Sequence, residues 1–356
     1  MSGETPAAVR RVDGAGLQEL GRIHSDEVYR QMDWLLEQRP GPMDLYFRWE
    51  RQSWAVQDLD LGTDARQWAE MAGPLEGLRR EMQHSFTLFF IGEEAVTGTL
   101  PPLVHAAPDE QSRIFLSTQQ VDEARHTVFF GRFFEEVVGV SGGLPATLEQ
   151  LRPGVLGGFR KVFAEDLASA TDLVRANPGD YGAWVEGVTI YHLMVEGMLA
   201  LTGQKFLLAV LRDLGVLPGF YAGFTAVARD ESRHVNFGVW ALREAGRRDP
   251  ALLDRACESV LRLLEPACRT IAAPERRYAA EPGISPENLR VSPYDVRAFS
   301  LNSLTKRLRV AGIAEEVLRD ILQRGTRYYE AAWAEYEDLH GEPHPRRFWD
   351  RLSSAS

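Results

Sequence analysis

Four stretches of this 356-residue chain set carboxylates into otherwise apolar, helix-periodic sequence, an arrangement that few folds tolerate. In FTLFFIGEEAVTGTL (86–100) an apolar stripe runs through Phe86, Phe89, Phe90, Val96 and Leu100, and Glu93 falls inside it. In YHLMVEGMLALTG (191–203) Glu196 is the lone acid. DEARH (122–126) and DESRH (230–234) each place a histidine three residues after a glutamate, Glu123 with His126 and Glu231 with His234. That spacing puts each pair on one helix face. The first face continues through Phe130 and Phe134, and the second is shared with Phe224, Val227 and Gly238. A carboxylate on a core-facing stripe is costly unless something neutralises it.

Taken singly, each piece is ordinary. An isolated Glu-x-x-His is usually a solvated helix face, Glu196 alone fits a buried acid paired with an arginine, and Glu93 alone fits a helix surface. The repeated order Glu, Glu-x-x-His, Glu, Glu-x-x-His is much harder to obtain by coincidence. It is the inward-facing ligand set of ferritin-like dinuclear bundles. Four carboxylates, two neutral imidazoles and two divalent ions sum to zero charge, which a core accepts where four unpaired carboxylates are not accepted. Oxygen and imidazole donors suit iron and manganese, and the lack of thiolate ligands argues against an iron–sulfur cluster. Glu94 lies off the stripe and is read as solvent-facing or supporting. Asp122 and Asp230, each just before a ligand glutamate, are read either as hydrogen-bond partners of a ligand histidine or as surface acids.

The rest of the chain predicts an all-α protein. Apolar spacing of three and four predicts helices near 14–38, 64–71, 75–100, 109–138, 155–176, 181–213, 218–247, 251–273 and 313–340. Pro40-Gly41-Pro42, Pro101-Pro102, Ser141-Gly142-Gly143, Asn177-Pro178-Gly179 and Gly215 to Pro218 read as breaks between them, and the prolines at 274, 282, 286 and 293 predict a long loop over 274–300. The expected organisation is an N-terminal extension (1–60), a ferritin-like dinuclear metal domain (61–312), and a C-terminal helix and tail (313–356) packed on that domain. A net charge of -11 argues against general nucleic-acid binding. Cys257 and Cys268 form neither a disulfide framework nor a zinc motif, and a reducing, cytoplasmic setting fits them. The N-terminus lacks the apolar run of a signal peptide, and no uninterrupted apolar run reaches the ~20 residues of a membrane span.

At GEEAVT (92–97), DEARH (122–126), VEGMLALTG (195–203) and DESRH (230–234) the chain resembles the ligand-binding oxidases related to the small, radical-generating subunit of class I ribonucleotide reductase. The likeness is strong over about 60–245 and weaker beyond, although YDVRAFSLNSLTKRLRVAG (294–312) still fits; the first ~55 and last ~40 residues match poorly. The resemblance implies a ferritin-like four-helix core with flanking helices and a heterodinuclear centre. Glu93, Glu123 and His126 would hold manganese, Glu196, Glu231 and His234 would hold iron, and Glu123 with another carboxylate would bridge. A di-iron centre stays open, because the ligands alone do not separate the two metals. The resemblance further implies dioxygen as oxidant, two-electron C–H oxidation, a Tyr–Val ether cross-link at Tyr191 and Val96, a hydrophobic tunnel for a long-chain fatty acid or other hydrophobic small molecule, an unidentified electron donor, and a homodimer.

One implication strains simple geometry. On an ideal α-helix Tyr191, five residues before Glu196, points about 140° away from it. It reaches the metals only if the helix is distorted, for example by a π-bulge. His192, on the Glu196 stripe, is read as a core or supporting histidine, and Phe89, Phe90, Phe129, Phe130 and Met194 as candidate apolar lining. Phe130 stands where the reductase subunit has its radical tyrosine, which disfavours nucleotide reduction. Val227 stands where the amine N-oxygenases of similar fold have an extra histidine. The alternatives are a di-iron oxygenase that hydroxylates or desaturates a specialised metabolite, a ferritin-like metal-storage protein, and a helper subunit of a larger enzyme.

Overall fold

The computed structural model describes residues 7–73, 75–152, 157–272, 291–341 and 343–354. Among these every regular element is helical. We label the long helices α1 (Ser25–Gln38), α2 (Pro42–Gln52), α3 (Glu76–Thr99), α4 (Glu110–Phe133), α5 (Tyr181–Leu214), α6 (Pro218–Arg248), α7 (Ala251–Ala272), α8 (Pro293–Ala311) and α9 (Glu315–His340). Helices α3, α4, α5 and α6 form the central bundle, as the ligand pattern predicted; α1 lies against α6, α2 against α4 and α6, and α7 and α8 pack on α5 and on α9.

The starts of the central helices are locally encoded. Asp109 accepts from Ser112 N–H (2.8 Å) to cap α4, and Asp180 accepts from Ala183 N–H (3.0 Å) to cap α5. Helix α6 starts at Pro218, whose missing N–H costs nothing in the first turn. Its next two N–H groups, on Gly219 and Phe220, donate to the buried Asp64 carboxylate at 2.9 and 2.7 Å, so a distant residue caps the helix that carries Glu231 and His234.

The breaks at Pro40-Gly41-Pro42 and Pro101-Pro102 are present, and each leads directly into a helix that was not anticipated. Pro42 and Pro293 occupy the first turns of α2 and α8, and Ser292 caps α8 by accepting from Tyr294 N–H (3.2 Å). The predicted loop over 274–300 is therefore corrected from Pro293 onward; its earlier part, to 290, lies outside the described residues. The Pro101-Pro102 break is the start of a short helix, Pro101–His105. Helices Gly143–Leu151 and Arg346–Ser354 were not anticipated. The predicted helix 14–38 is interrupted: Leu17–Leu20 ends before His24, whose ring accepts from Asp26 N–H at the start of α1.

Two apolar clusters flank the bundle centre. One joins Val96, Tyr191, Met194 and Phe237 to α7 and α9, and the other is an aromatic stack that includes Phe86, Phe129, Phe130, Phe133 and Phe220. The predicted helix 155–176 is resolved as Gly158–Arg160, a π-turn over Lys161–Leu167, and Ala168–Ala176. Helix α5 is long and apolar enough by composition to cross a membrane, but 61% of its most apolar window is buried inside the fold.

Candidate metal centre

The four bundle helices direct all six sequence-predicted ligands into one buried cluster. Glu93, Glu123, His126 and Glu231 form one group of convergent donor atoms, and Glu123, Glu196, Glu231 and His234 form a second. The histidines define two poles, with ring centroids 6.2 Å apart. His126 Nδ1 lies 3.3 Å from Glu93 Oε2, 3.6 Å from Glu123 Oε2 and 3.6 Å from Glu231 Oε1. His234 Nδ1 lies 3.3 Å from Glu123 Oε1, 3.5 Å from Glu196 Oε1 and 3.4 Å from Glu231 Oε2. Glu123 and Glu231 thus each turn one oxygen toward either pole, while Glu93 and Glu196 serve one pole apiece. Glu231 is thus the one other carboxylate of the six predicted ligands that is placed like Glu123, between the two histidines.

The donor set fits a pair of divalent ions. His126 Nδ1, His234 Nδ1, Glu196 Oε2 and Glu231 Oε2 are buried atoms without a hydrogen-bond partner, and all belong to this cluster. Orphaned buried polar atoms are rare in folded proteins and call for a ligand or water. Each histidine turns its other nitrogen to an aspartate, the arrangement that orients metal-bound imidazoles. The pairing is crossed: His126 Nε2 meets Asp230 (3.3 Å) and His234 Nε2 meets Asp122 (3.2 Å), so the aspartate of each motif supports the histidine of the other. Both aspartates are buried, which settles the choice against surface acids.

A shell of cations and indoles holds the aspartates. Arg233 donates to Asp122 (2.8 Å) and Asp230 (2.7 Å), and Arg125 donates to Asp122 (2.7 Å). Trp49 donates to Asp122 (3.0 Å) and Trp54 to Asp230 (2.8 Å), while Gln52 accepts from Arg233. Sequence reasoning missed this contribution from residues before 61, because it depends on contacts more than seventy residues apart. Glu94, in contrast, faces outward and pairs with Arg152 (3.0 Å).

Electrostatics follow from burial and crowding. Burial is the largest influence and pushes Glu93 up to about 8; it also raises Glu196 and Glu231. Glu123 is also pushed up by burial, but His234, His126 and the Gln119 amide outweigh this and hold it at about 2. Burial would lower both histidines, yet the carboxylates around them, Glu93 at His126 and Glu123 at His234, hold them well above the ordinary value. At the donors whose values are raised, Glu93, Glu196, Glu231 and both histidines, protons and divalent cations compete.

The distortion required for Tyr191 is present. Residues Thr189–Ala200 of α5 are a π-helix. In its i→i+5 pattern residues five apart return toward one face. Tyr191 is fully buried, and its hydroxyl donates to Glu123 Oε1 (3.1 Å), with the Val96 carbonyl 3.4 Å away. His192 is buried too, kept neutral by burial that lowers it to about 3, and contacts Gln119 rather than the cluster itself.

A cavity of about 800 Å³ opens onto Glu93, Glu123, Glu196 and Glu231. Near the acids its wall is mostly apolar, with Phe89, Gly92, Val96, Phe163, Val195 and Leu199. Of the predicted lining residues only Phe89 is there. Phe90, Phe129 and Phe130 belong to the aromatic stack and Met194 to the other core cluster, because their faces of α3, α4 and α5 point into neighbouring helices.

No protein-family model matches the chain. Its fold is similar to solved structures of R2-like ligand-binding oxidase variants. A valine-substituted variant with aerobically reconstituted Mn/Fe cofactor aligns with TM-score 0.64 and 21% identity, over 76% of this chain and 92% of that chain. A tyrosine-substituted variant with anaerobically reconstituted Mn/Fe cofactor gives the same values. A further valine variant with aerobically reconstituted Mn/Fe cofactor aligns with TM-score 0.59 and 20% identity, over 82% of this chain and 93% of that chain. The likeness bears out the ferritin-like fold expected from the motifs.

Proposed function

We propose that this protein is a dinuclear metal oxidase that uses dioxygen for two-electron C–H oxidation, with manganese and iron as the preferred pair. The observation that carries the proposal is the buried cluster in which Glu123 and Glu231 each turn one oxygen to His126 and one to His234. The similar solved structures hold a Mn/Fe cofactor. In the proposed assignment Glu93 and His126 complete one position, Glu196 and His234 the other, and Glu123 and Glu231 span both. The metal pair, when bound, supplies the redox capacity to activate dioxygen.

The chain's own residues do the rest. Asp230 and Asp122 accept from the histidine Nε2–H groups and keep each Nδ1 lone pair directed inward. Apolar side chains, Phe89, Val96, Phe163, Val195 and Leu199 among them, share the cavity wall with the acids. Tyr191 holds its phenol proton toward Glu123 Oε1, a ready acceptor, with its oxygen 3.4 Å from the Val96 backbone carbonyl. The proposed cross-link breaks the Tyr191 O–H and one Val96 C–H, forms a C–O bond, and gives two electrons and two protons to dioxygen. The cavity is proposed to take a long-chain fatty acid or other hydrophobic molecule with its polar head at the acids. Its volume lies in the ordinary range for small-molecule sites.

The test is peptide mass spectrometry after anaerobic loading of the metal-free protein with Mn(II) and Fe(II) and admission of air. The expected result is a loss of two hydrogens in a peptide pair joining Val96 and Tyr191. Bound metals without the cross-link would leave an oxygenase acting on a separate substrate, and absence of bound metal would overturn the proposal.

A further inference from the structure

We propose that Gln119, braced by His192, is a positioning residue that presets Glu123 and Glu196 and thereby sets the affinity of the His234-side position for its ion. This rests on the metal reading above. Gln119 is fully buried on α4, one turn before Glu123. Its amide nitrogen donates to Glu196 Oε1 (2.9 Å) and Glu123 Oε1 (3.2 Å). Both oxygens also face His234 Nδ1, at 3.5 and 3.3 Å. One N–H₂ group therefore fixes the rotation of two carboxylates that arrive from different helices. Glu93, at the other pole, meets no side-chain amide among the described residues.

An amide works this way only if it cannot flip. Turned around, its carbonyl oxygen would face two carboxylate oxygens with no donor between them. His192 opposes that flip: its Nε2 lies 3.0 Å from Gln119 Oε1. The Val188 carbonyl lies 3.2 Å from the other ring nitrogen, Nδ1. A neutral imidazole has a single N–H to offer these two acceptors. With the amide nitrogen committed to Glu123 and Glu196, that proton belongs on Nε2. His192 is itself confined by Gly238 on α6, where an added Cβ would lie 2.4 Å from the His192 Cβ, and by the Phe237 ring at 5.5 Å. The relay from α6 through His192 and Gln119 thus transmits helix packing to ligand geometry. Outer partners of this kind typically change metal affinity about 10–100-fold when removed.

The test titrates Mn(II) anaerobically into wild type, Gln119→Leu, His192→Phe and His192→Gln. Free Mn(II) is followed by electron paramagnetic resonance, bound metal by plasma mass spectrometry, and the Tm of each metal-free protein is taken alongside. The expected result is two ions in wild type, with the second bound about 10–100-fold more weakly in Gln119→Leu and His192→Phe while the first is unchanged. His192→Gln, which can again present an N–H to Gln119 Oε1, should restore much of the loss. If Gln119→Leu does not fold, the Phe and Gln variants at 192 decide. Unchanged second-site affinity overturns this proposal and leaves the metal reading standing. So does equal weakening of both positions in step with the drop in Tm, which is what a merely structural role would give. Fewer than two ions in wild type overturns both.

Discussion

Arg233→Met isolates the brace behind the two histidines. Methionine keeps most of the volume, so the effect reads charge rather than a cavity. Arg233 is buried and donates to Asp122 at 2.8 Å and Asp230 at 2.7 Å. Removing one partner of a buried ion pair costs about 3–5 kcal/mol, because the remaining charge is left uncompensated. Here two aspartates are left, but Arg125 stays within 2.7 Å of Asp122 and 3.5 Å of Asp230. The loss should therefore fall at the lower end, about 3 kcal/mol. It is measured as the fall in urea midpoint of the metal-free protein at neutral pH with the slope unchanged. The aspartates that accept from both histidines are then held less firmly, so both metal positions should weaken. A loss below about 1 kcal/mol, the size of an exposed pair, with unchanged metal binding would refute the brace.

Further expectations concern the cluster itself. Glu231→Gln should impair both metal positions, and Glu93→Gln mainly the His126 side; plasma mass spectrometry of desalted protein distinguishes them. Tyr191→Phe should retain both metals, lose the two-hydrogen mass change, and cost about 1 kcal/mol of stability for the lost hydroxyl contacts, measured by denaturation. The metal-free protein should lose stability as pH rises. Glu93, raised to about 8, and the two raised histidines contribute stability that is present below their unfolded values and is lost as pH climbs through the folded ones. Glu123, held at about 2, acts oppositely, but only at acid pH. Metal affinity should run the other way and rise with pH, because the ions displace those protons. Urea midpoints and metal titrations between about pH 5 and 8 check both slopes.

The cluster was legible because buried acids are energetically anomalous. Glu93 and Glu196 stand out against apolar stripes, and two Glu-x-x-His pairs supply the matching faces. Tyr191 was singled out only by the family resemblance, on the condition that α5 depart from α-helical geometry, and the π-helix over Thr189–Ala200 meets that condition. Gln119 was not legible: in STQQVDEARH an amide looks like any solvated polar residue. Its position one turn before Glu123, on the stripe shared with His126, was the available signal. The roles of Trp49, Trp54 and Gln52 depend on tertiary contacts that no local pattern encodes. The helices that begin at Pro42 and Pro293 were missed because proline both ends helices and begins them; Ser292 and Asp44, acting as caps, decide the matter. The lining residues were misjudged because an aromatic stripe beside a ligand looks the same whether it faces a cavity or another helix.

The central claim is tested most directly by counting metal ions. Metal-free protein is exposed anaerobically to Mn(II) and Fe(II), desalted, and its bound metal measured against protein concentration. The account predicts two ions per chain in the wild type and a loss at both positions in Glu231→Gln. A wild-type chain that retains none, or only one, would contradict it.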